Sequence, residues 1–192
     1  MKRNYPFITP IQLPQNYHVH DFTSNCVNGQ CQPCDFTIGK YNEQRNFYPK
    51  DKFNERIIHL GIDFGAPANT PIYSVSDCEI YYFDYFGELG DYGGLLVTKN
   101  IVNQYTLFCA YGHISIKSLK NQRSGNYILK GQQFGWVGDF TENGNWPPHL
   151  HFQILTFKPK LGSNIPGLFS INELSKALKL YPDPQIYFGR LY

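Results

Sequence analysis

The sequence predicts a mainly β fold: an antiparallel β-sheet, sandwich or barrel, with an irregular N-terminal arm and one short C-terminal helix. Two observations carry this expectation. From Arg56 onward, seven short runs of β-branched and aromatic residues follow one another, separated by Gly, Pro, Asn and Asp. That spacing belongs to antiparallel strands joined by turns. The composition agrees: 17% of the 192 residues are aromatic, with 17 Gly and 13 Pro, which favours short strands and turns over long helices.

Residues 1–55 lack clear periodicity and are rich in Pro, Asn and Gln, the character of an extended arm packed on a domain. The strand runs are "RIIHLGIDF", "PIYSV", "CEIYYFDYF", "GGLLVTKN", "YTLFCAYGHI", "QQFGWVGDF" and "HLHFQILTF". They define a core over 56–157. A C-terminal extension, 158–192, carries the one good helix signal, "SINELSKALKL". There Ser170 and Glu173 have capping-box spacing, Ile171, Leu174 and Leu178 share a face, and "YPDP" ends the helix.

The charge balance is nearly even, 17 Lys+Arg against 15 Asp+Glu, so no nucleic-acid or membrane surface is expected. No apolar run reaches the length of a membrane span, and "MKRNYPFITP" is followed by polar residues rather than a signal-type stretch. The expectation is a monomer, cytoplasmic by default and extracytoplasmic if a signal has been trimmed or another export route is used. Of the five cysteines, Cys78 and Cys109 sit in apolar runs and read as small core residues. Cys26, Cys31 and Cys34 are one ligand short of a structural zinc site and read as free or loosely paired thiols.

Three stretches carry chemistry. In "IIHLGIDFGAP" a strand puts His59, Gly61 and Asp63 on one face, and Gly61 leaves space between an imidazole and a carboxylate. In "WPPHLHFQI" only a strand brings His149 and His151 to one face, since a helix would separate them by about 200°. Leu150, Phe152 and Ile154 then form the opposite, apolar set. The third stretch, "CAYGHIS", places His113 at the end of a strand run. A catalytic zinc takes three protein ligands and keeps one position for water. His59, Asp63 and one histidine of the H-x-H pair fill that count, with either His149 or His151 as the third. The other member and His113 are left to move a proton and to steady an oxyanion at a carbonyl.

Other polar clusters read more plainly. "NYHVHD", with His18, His20 and Asp21, lies in the arm with no alternating apolar face behind it and reads as a solvated or locally hydrogen-bonded segment. "YNEQR", with Tyr41, Glu43 and Arg45, reads as a packed, salt-bridging stretch that borders the cleft at most. Asn145 and Trp146, in the loop before the H-x-H strand, and Tyr111 are candidates for the substrate groove.

"HLGIDFGAPANTPIYSVSDCEI", "YGHIS" and "KGQQFGWVGDFTENGNWPPHLHFQI" resemble the lysostaphin-type (LytM-type) zinc metallopeptidases, family twenty-three of the metallopeptidases. The motifs H-x3-D, an isolated H and H-x-H occur in the family's order over about Arg56 to Ile154. The resemblance implies one Zn2+ bound by His59, Asp63 and His151, with His113 and His149 as catalytic histidines. It implies a small antiparallel sheet with the site in a groove above it. It further implies a zinc endopeptidase in which metal-activated water attacks a peptide carbonyl, in peptidoglycan stem or cross-bridge peptides. The alternatives are a zinc-retaining binding or regulatory module, a latent enzyme whose groove the arm occludes, and a peptidase acting on a peptide from outside the cell wall.

Overall fold

The H-x-H strand lies in the middle of the largest sheet. The computed structural model describes residues 5–23, 35–46 and 55–192, so Cys26, Cys31 and Cys34 lie outside the described residues. The arm supplies three short strands, β1 (His18–Val19), β2 (Thr37–Gly39) and β3 (Glu43–Gln44). The core follows with β4 (Ile58–His59), β5 (Ile62–Gly65), β6 (Pro71–Tyr73), β7 (Cys78–Phe86), β8 (Gly93–Val102) and β9 (Tyr105–Ile114). The chain continues through β10 (Tyr127–Ile128), β11 (Gln133–Trp136), β12 (His149–Leu155) and β13 (Leu168–Phe169). Each of the seven runs read from the sequence overlaps at least one of these strands.

Eight strands form one sheet in the order β1-β2-β5-β12-β9-β8-β7-β10, antiparallel throughout except for the β1–β2 pair at one edge. β11 and β6 pair separately, and β13, β4 and β3 make a third, three-stranded sheet. The run "RIIHLGIDF" is therefore two strands in two sheets. Its ladder breaks at Leu60, whose N–H donates to the Gly167 carbonyl (3.1 Å). The arm is also more ordered than its composition suggests, because β2 extends the main sheet beside β5 and β3 pairs with β4.

Alternation along β12 divides the fold into two cores. Leu150, Phe152 and Ile154 are fully buried and join Ile62, Phe64, Cys109, Tyr111 and the arm's Phe7 and Ile11. Burying a side chain of the size of Phe152 stabilises by about 1.5–3 kcal/mol. A second cluster, including Leu60, Tyr82, Tyr92, Leu95, Leu155 and Phe169, covers the other face. Cys78 and Cys109 are buried free thiols, as small core residues should be.

Among the described residues no helix is long and apolar enough to cross a membrane. The helices are α1 (Ile116–Lys120), α2 (Leu174–Leu180) and α3 (Gln185–Phe188), the last a single turn after "YPDP". α2 is the helix expected near the C-terminus, but it begins three residues after Ile171. Ser170 Oγ and the Ser170 N–H both donate to Glu173 Oε2 (2.7 and 3.0 Å), which holds residues 170–173 as a turn before the helix. Ile171 is consequently 71% exposed rather than buried, and Ala177, Leu174 and Leu178 make the packed face.

Candidate metal centre and its cleft

Three elements converge on one point. Within the main sheet His151 on β12 stands directly opposite Asp63 on β5, and on its other side opposite Gly112 on β9. His59 arrives from the small sheet, on β4, and its Nε2 lies 3.2 Å from Asp63 Oδ1. His151 Nδ1 is 3.0 Å from the same oxygen and 3.0 Å from His59 Nε2. Among the described residues, these three form the one group of metal-ligating side chains close enough to share an ion. All three are buried.

The space between His59 and Asp63 belongs to the third ligand rather than standing open. A Cβ on Gly61 would come within 2.4 Å of His151 Cε1. No real Cβ makes such a contact, so glycine at this position is what lets the imidazole of β12 reach across to β4.

The hydrogen bonds around the triangle determine which atoms face inward. His59 Nδ1–H donates to the Lys40 carbonyl (3.1 Å), which leaves the Nε2 lone pair toward the site. His151 Nε2–H donates to Gln153 Oε1 (3.1 Å), and Gln153 Nε2–H in turn donates to the Pro166 carbonyl (3.2 Å), which fixes the amide orientation. His151 therefore presents Nδ1. Arg45 Nη1 donates to Asp63 Oδ2 (2.6 Å), so Oδ1 is the inward oxygen. Three acceptor atoms thus lie within 3.2 Å of one another with no proton among them. Such a cluster is repulsive until a cation joins it. Two ligands on a tetrahedral zinc at about 2.0–2.1 Å stand roughly 3.3 Å apart, so nitrogen, oxygen and nitrogen donors at these separations suit Zn2+.

Two more histidines flank the triangle. His113 Nδ1–H donates to the Asn143 carbonyl (2.9 Å), and His149 Nδ1–H donates to the Pro147 carbonyl (2.7 Å). Each keeps an Nε2 lone pair for chemistry; that of His149 is 3.9 Å from Asp63 Oδ1. The rings of the pair are 4.3 Å apart. His113 has φ of 62°, a left-handed conformation that is uncommon outside glycine and tends to concentrate at functional sites. The turn has a purpose visible in the register. Tyr111 pairs with Phe152 and Gly112 with His151, so a regular strand would send residue 113 to the core side with Tyr111. The positive φ sends it to the site instead.

That same register removes Tyr111 from the groove candidates. It is fully buried against Phe134 and Phe152. Asn145 and Trp146 do line the cleft, which has a volume of about 860 Å³. Tyr92, not singled out by sequence, packs its ring 5.2 Å from His113 and 5.3 Å from His151. The absence of a Cβ on Gly112 admits that ring. The arm contributes as well. His20 and Phe22 are on the cleft wall, and His20 stacks on Phe22, so "NYHVHD" is docked on the sheet edge rather than simply solvated.

A model of peptidase family M23 matches residues 57–162. The chain belongs to peptidase family M23. M23 peptidases are zinc hydrolases, and the group His59, Asp63 and His151 can hold one metal ion. Over 96 residues the chain is 32% identical to the DD-carboxypeptidase/endopeptidase Mpg of Neisseria meningitidis serogroup B, covering 50% of this chain and 20% of that protein. Over 99 residues it is 32% identical to lysostaphin of Staphylococcus staphylolyticus, covering 50% and 18%. The chain therefore spans about a fifth of the length of these relatives. The solution structure of lysostaphin superposes with a TM-score of 0.51 at 20% identity, over 82% of this chain and 54% of that one, which is a likeness of fold.

Burial sets the M23 site's response to acid. It lowers the pKa of His59 to about 4 and holds His113 well below its ordinary 6.5. For Asp63 burial works the other way, yet His59 and Arg45 beside it keep the carboxyl well below the usual carboxylate range. The sign for the histidines follows directly. Unfolded histidines take up protons near pH 6.5, whereas the folded ones resist doing so until lower pH. Stability of the zinc-free protein is therefore complete above about 6.5 and falls as pH drops toward 4, by ~1.4 kcal/mol per pH unit for each such histidine. Urea midpoints of zinc-free protein at pH 7.5, 6 and 5 should decline in that order. Zinc affinity and activity should fall together only as pH approaches about 4, where the ligand His59 takes up a proton, because protonated imidazole binds no metal. Midpoints that stay level across this range would contradict the buried neutral histidines.

Proposed function

We propose that this chain is a zinc-dependent endopeptidase that cuts peptide bonds in peptidoglycan stem or cross-bridge peptides. In this reading His59, Asp63 and His151 hold the ion, and His113 and His149 are the catalytic histidines. The observation that carries it is the triangle of proton-free donor atoms with two further lone-pair imidazoles beside it, all lining a cleft of about 860 Å³. The likeness to a protein named DD-carboxypeptidase/endopeptidase supports the same reaction class.

Bound zinc supplies Lewis acidity, polarising a carbonyl and lowering the pKa of a water molecule. The chain's own groups do the rest. An Nε2 lone pair of His113 or His149 accepts the proton that water loses as its oxygen bonds to the carbonyl carbon. The other imidazole, its Nδ1–H already given to a backbone carbonyl, donates to the developing oxyanion from Nε2 when that nitrogen also carries a proton. The accepted proton passes to the amide nitrogen as the C–N bond breaks. The backbone carbonyls of Asn143 and Pro147 accept the Nδ1–H of each ring and so leave Nε2 as the atom that gains or gives the proton.

The test is incubation of zinc-loaded protein with peptidoglycan fragments, with pentaglycine peptides and with unrelated peptides, read by mass spectrometry. Products heavier by one water in the first or second arm, lost with a chelator and restored by one equivalent of zinc, are expected. Cleavage confined to the unrelated peptides would overturn the substrate class. No cleavage in any arm would overturn the enzymatic reading in favour of a zinc-retaining binding module.

A further inference from the structure

The M23 family match begins at residue 57, yet one of the closest partners of the metal triangle comes from before it. Arg45 follows β3, and its backbone N–H donates to the Ile57 carbonyl (2.7 Å), which anchors it opposite the start of β4. Its side chain is 3% exposed. The guanidinium meets Asp63 Oδ2 at 2.6 Å and Glu43 Oε2 at 3.3 Å, and it lies 4.8 Å from the centre of the Phe22 ring. Gly39, paired with Asp63 across the β2–β5 ladder, makes room for it: a Cβ there would sit 2.6 Å from Arg45 Nη2. Glu43 is itself buried and accepts the Phe22 N–H (3.1 Å). A slot shaped for one arginine fork has therefore been built from three arm residues, Phe22, Gly39 and Glu43, with its open end at a metal ligand.

We propose that Arg45 is a positioning residue of the zinc site, and that the arm from Gly39 to Arg45 is an integral part of that site. By occupying Oδ2, Arg45 makes Asp63 a ligand through Oδ1 alone and holds the carboxylate at the angle where Oδ1 meets His59 Nε2 and His151 Nδ1. A carboxylate without that partner is free to rotate about its Cβ–Cγ bond and to offer both oxygens. The guanidinium is suited to this role because its planar fork serves Glu43 and Asp63 from one rigid group, which an ammonium cannot do. Outer partners of metal ligands commonly govern affinity by 10–100-fold. The inference rests on the zinc-site reading above.

The experiment measures zinc affinity by competition with a chromophoric chelator, together with the visible spectrum of the cobalt(II)-substituted protein, which responds to ligand number and geometry. The variants are Arg45→Lys and the pair Arg45→Met with Glu43→Gln, the second change removing a buried charge that Arg45→Met alone would leave with only the partly exposed Lys40 as its ion-pair partner. Wild type binding one zinc, 10–100-fold weaker binding in the double variant, intermediate binding in Arg45→Lys and a changed cobalt spectrum in both are expected. If the double variant does not fold, Arg45→Lys decides by the same two readings. Wild-type affinity and an unchanged spectrum in the variants, with wild type binding zinc, would overturn the role of Arg45 alone. Failure of the wild type to bind zinc would instead overturn the site reading on which the inference stands.

Discussion

His113→Ala and His149→Ala should each lower kcat by about 10²–10⁴-fold, the range over which positioned proton-transfer groups act. Both variants should still bind one equivalent of zinc, because neither ring belongs to the triangle of His59, Asp63 and His151. The two need not behave alike in stability. His149 is partly exposed at the start of β12, and truncating it removes little packing. His113 is buried between Tyr92 and His149 and carries a left-handed backbone, so its replacement removes ring contacts on two sides and leaves the strained φ with a residue no better suited to it. Zinc stoichiometry and circular dichroism on each variant separate lost chemistry from lost fold. Wild-type turnover in either, with zinc bound, would sink its assignment.

Gly61→Ala should abolish tight zinc binding although it alters no ligand. The added methyl carbon would overlap the His151 ring, 2.4 Å from Cε1 and 2.6 Å from Nε2, and it would face the Phe152 carbonyl at 3.0 Å. Neither neighbour is a flexible chain end. The imidazole is pinned by Gln153, and the carbonyl lies on the central strand of the main sheet. Relief requires β4 and β12 to move apart, which takes His59 Nε2 away from His151 Nδ1. Titration with zinc, read by isothermal calorimetry, should show affinity reduced by two orders of magnitude or more, with hydrolysis falling in parallel. Wild-type affinity in this variant would mean that the ring has room to turn aside.

The residues that could be read directly were those whose spacing is local. Period-two alternation in "HLHFQI" separates His149 and His151 from Leu150, Phe152 and Ile154, and the structure keeps that division. His59 and Asp63 also come together as expected, but the strand reasoning behind the expectation does not hold. They sit on two strands of two sheets, and the break at Leu60 is set by Gly167, more than a hundred residues away in the chain. Tyr111 fails as a groove residue for a related reason: its parity matches His113 only if the strand is regular, and one positive φ reverses that relation. Arg45, Gln153 and Tyr92 are defined by contacts across the fold. Of these, Arg45 lay in a stretch read as a packed ion-pair segment, which it is, but its acidic partners include the ligand Asp63 as well as Glu43.

The placement of His59 and Asp63 on separate sheets gives the ion a mechanical meaning. The three-stranded sheet meets the eight-stranded one through the short Leu60–Gly61 link, and the ligand triangle spans that seam. A cation held there acts as a rivet, coupling the sheet that carries His59 to the one that carries Asp63 and His151. Metal binding would then add to the stability of the folded chain at the seam, and the wall of the cleft formed by Gly167 and Leu168 would be held in place by the same ion.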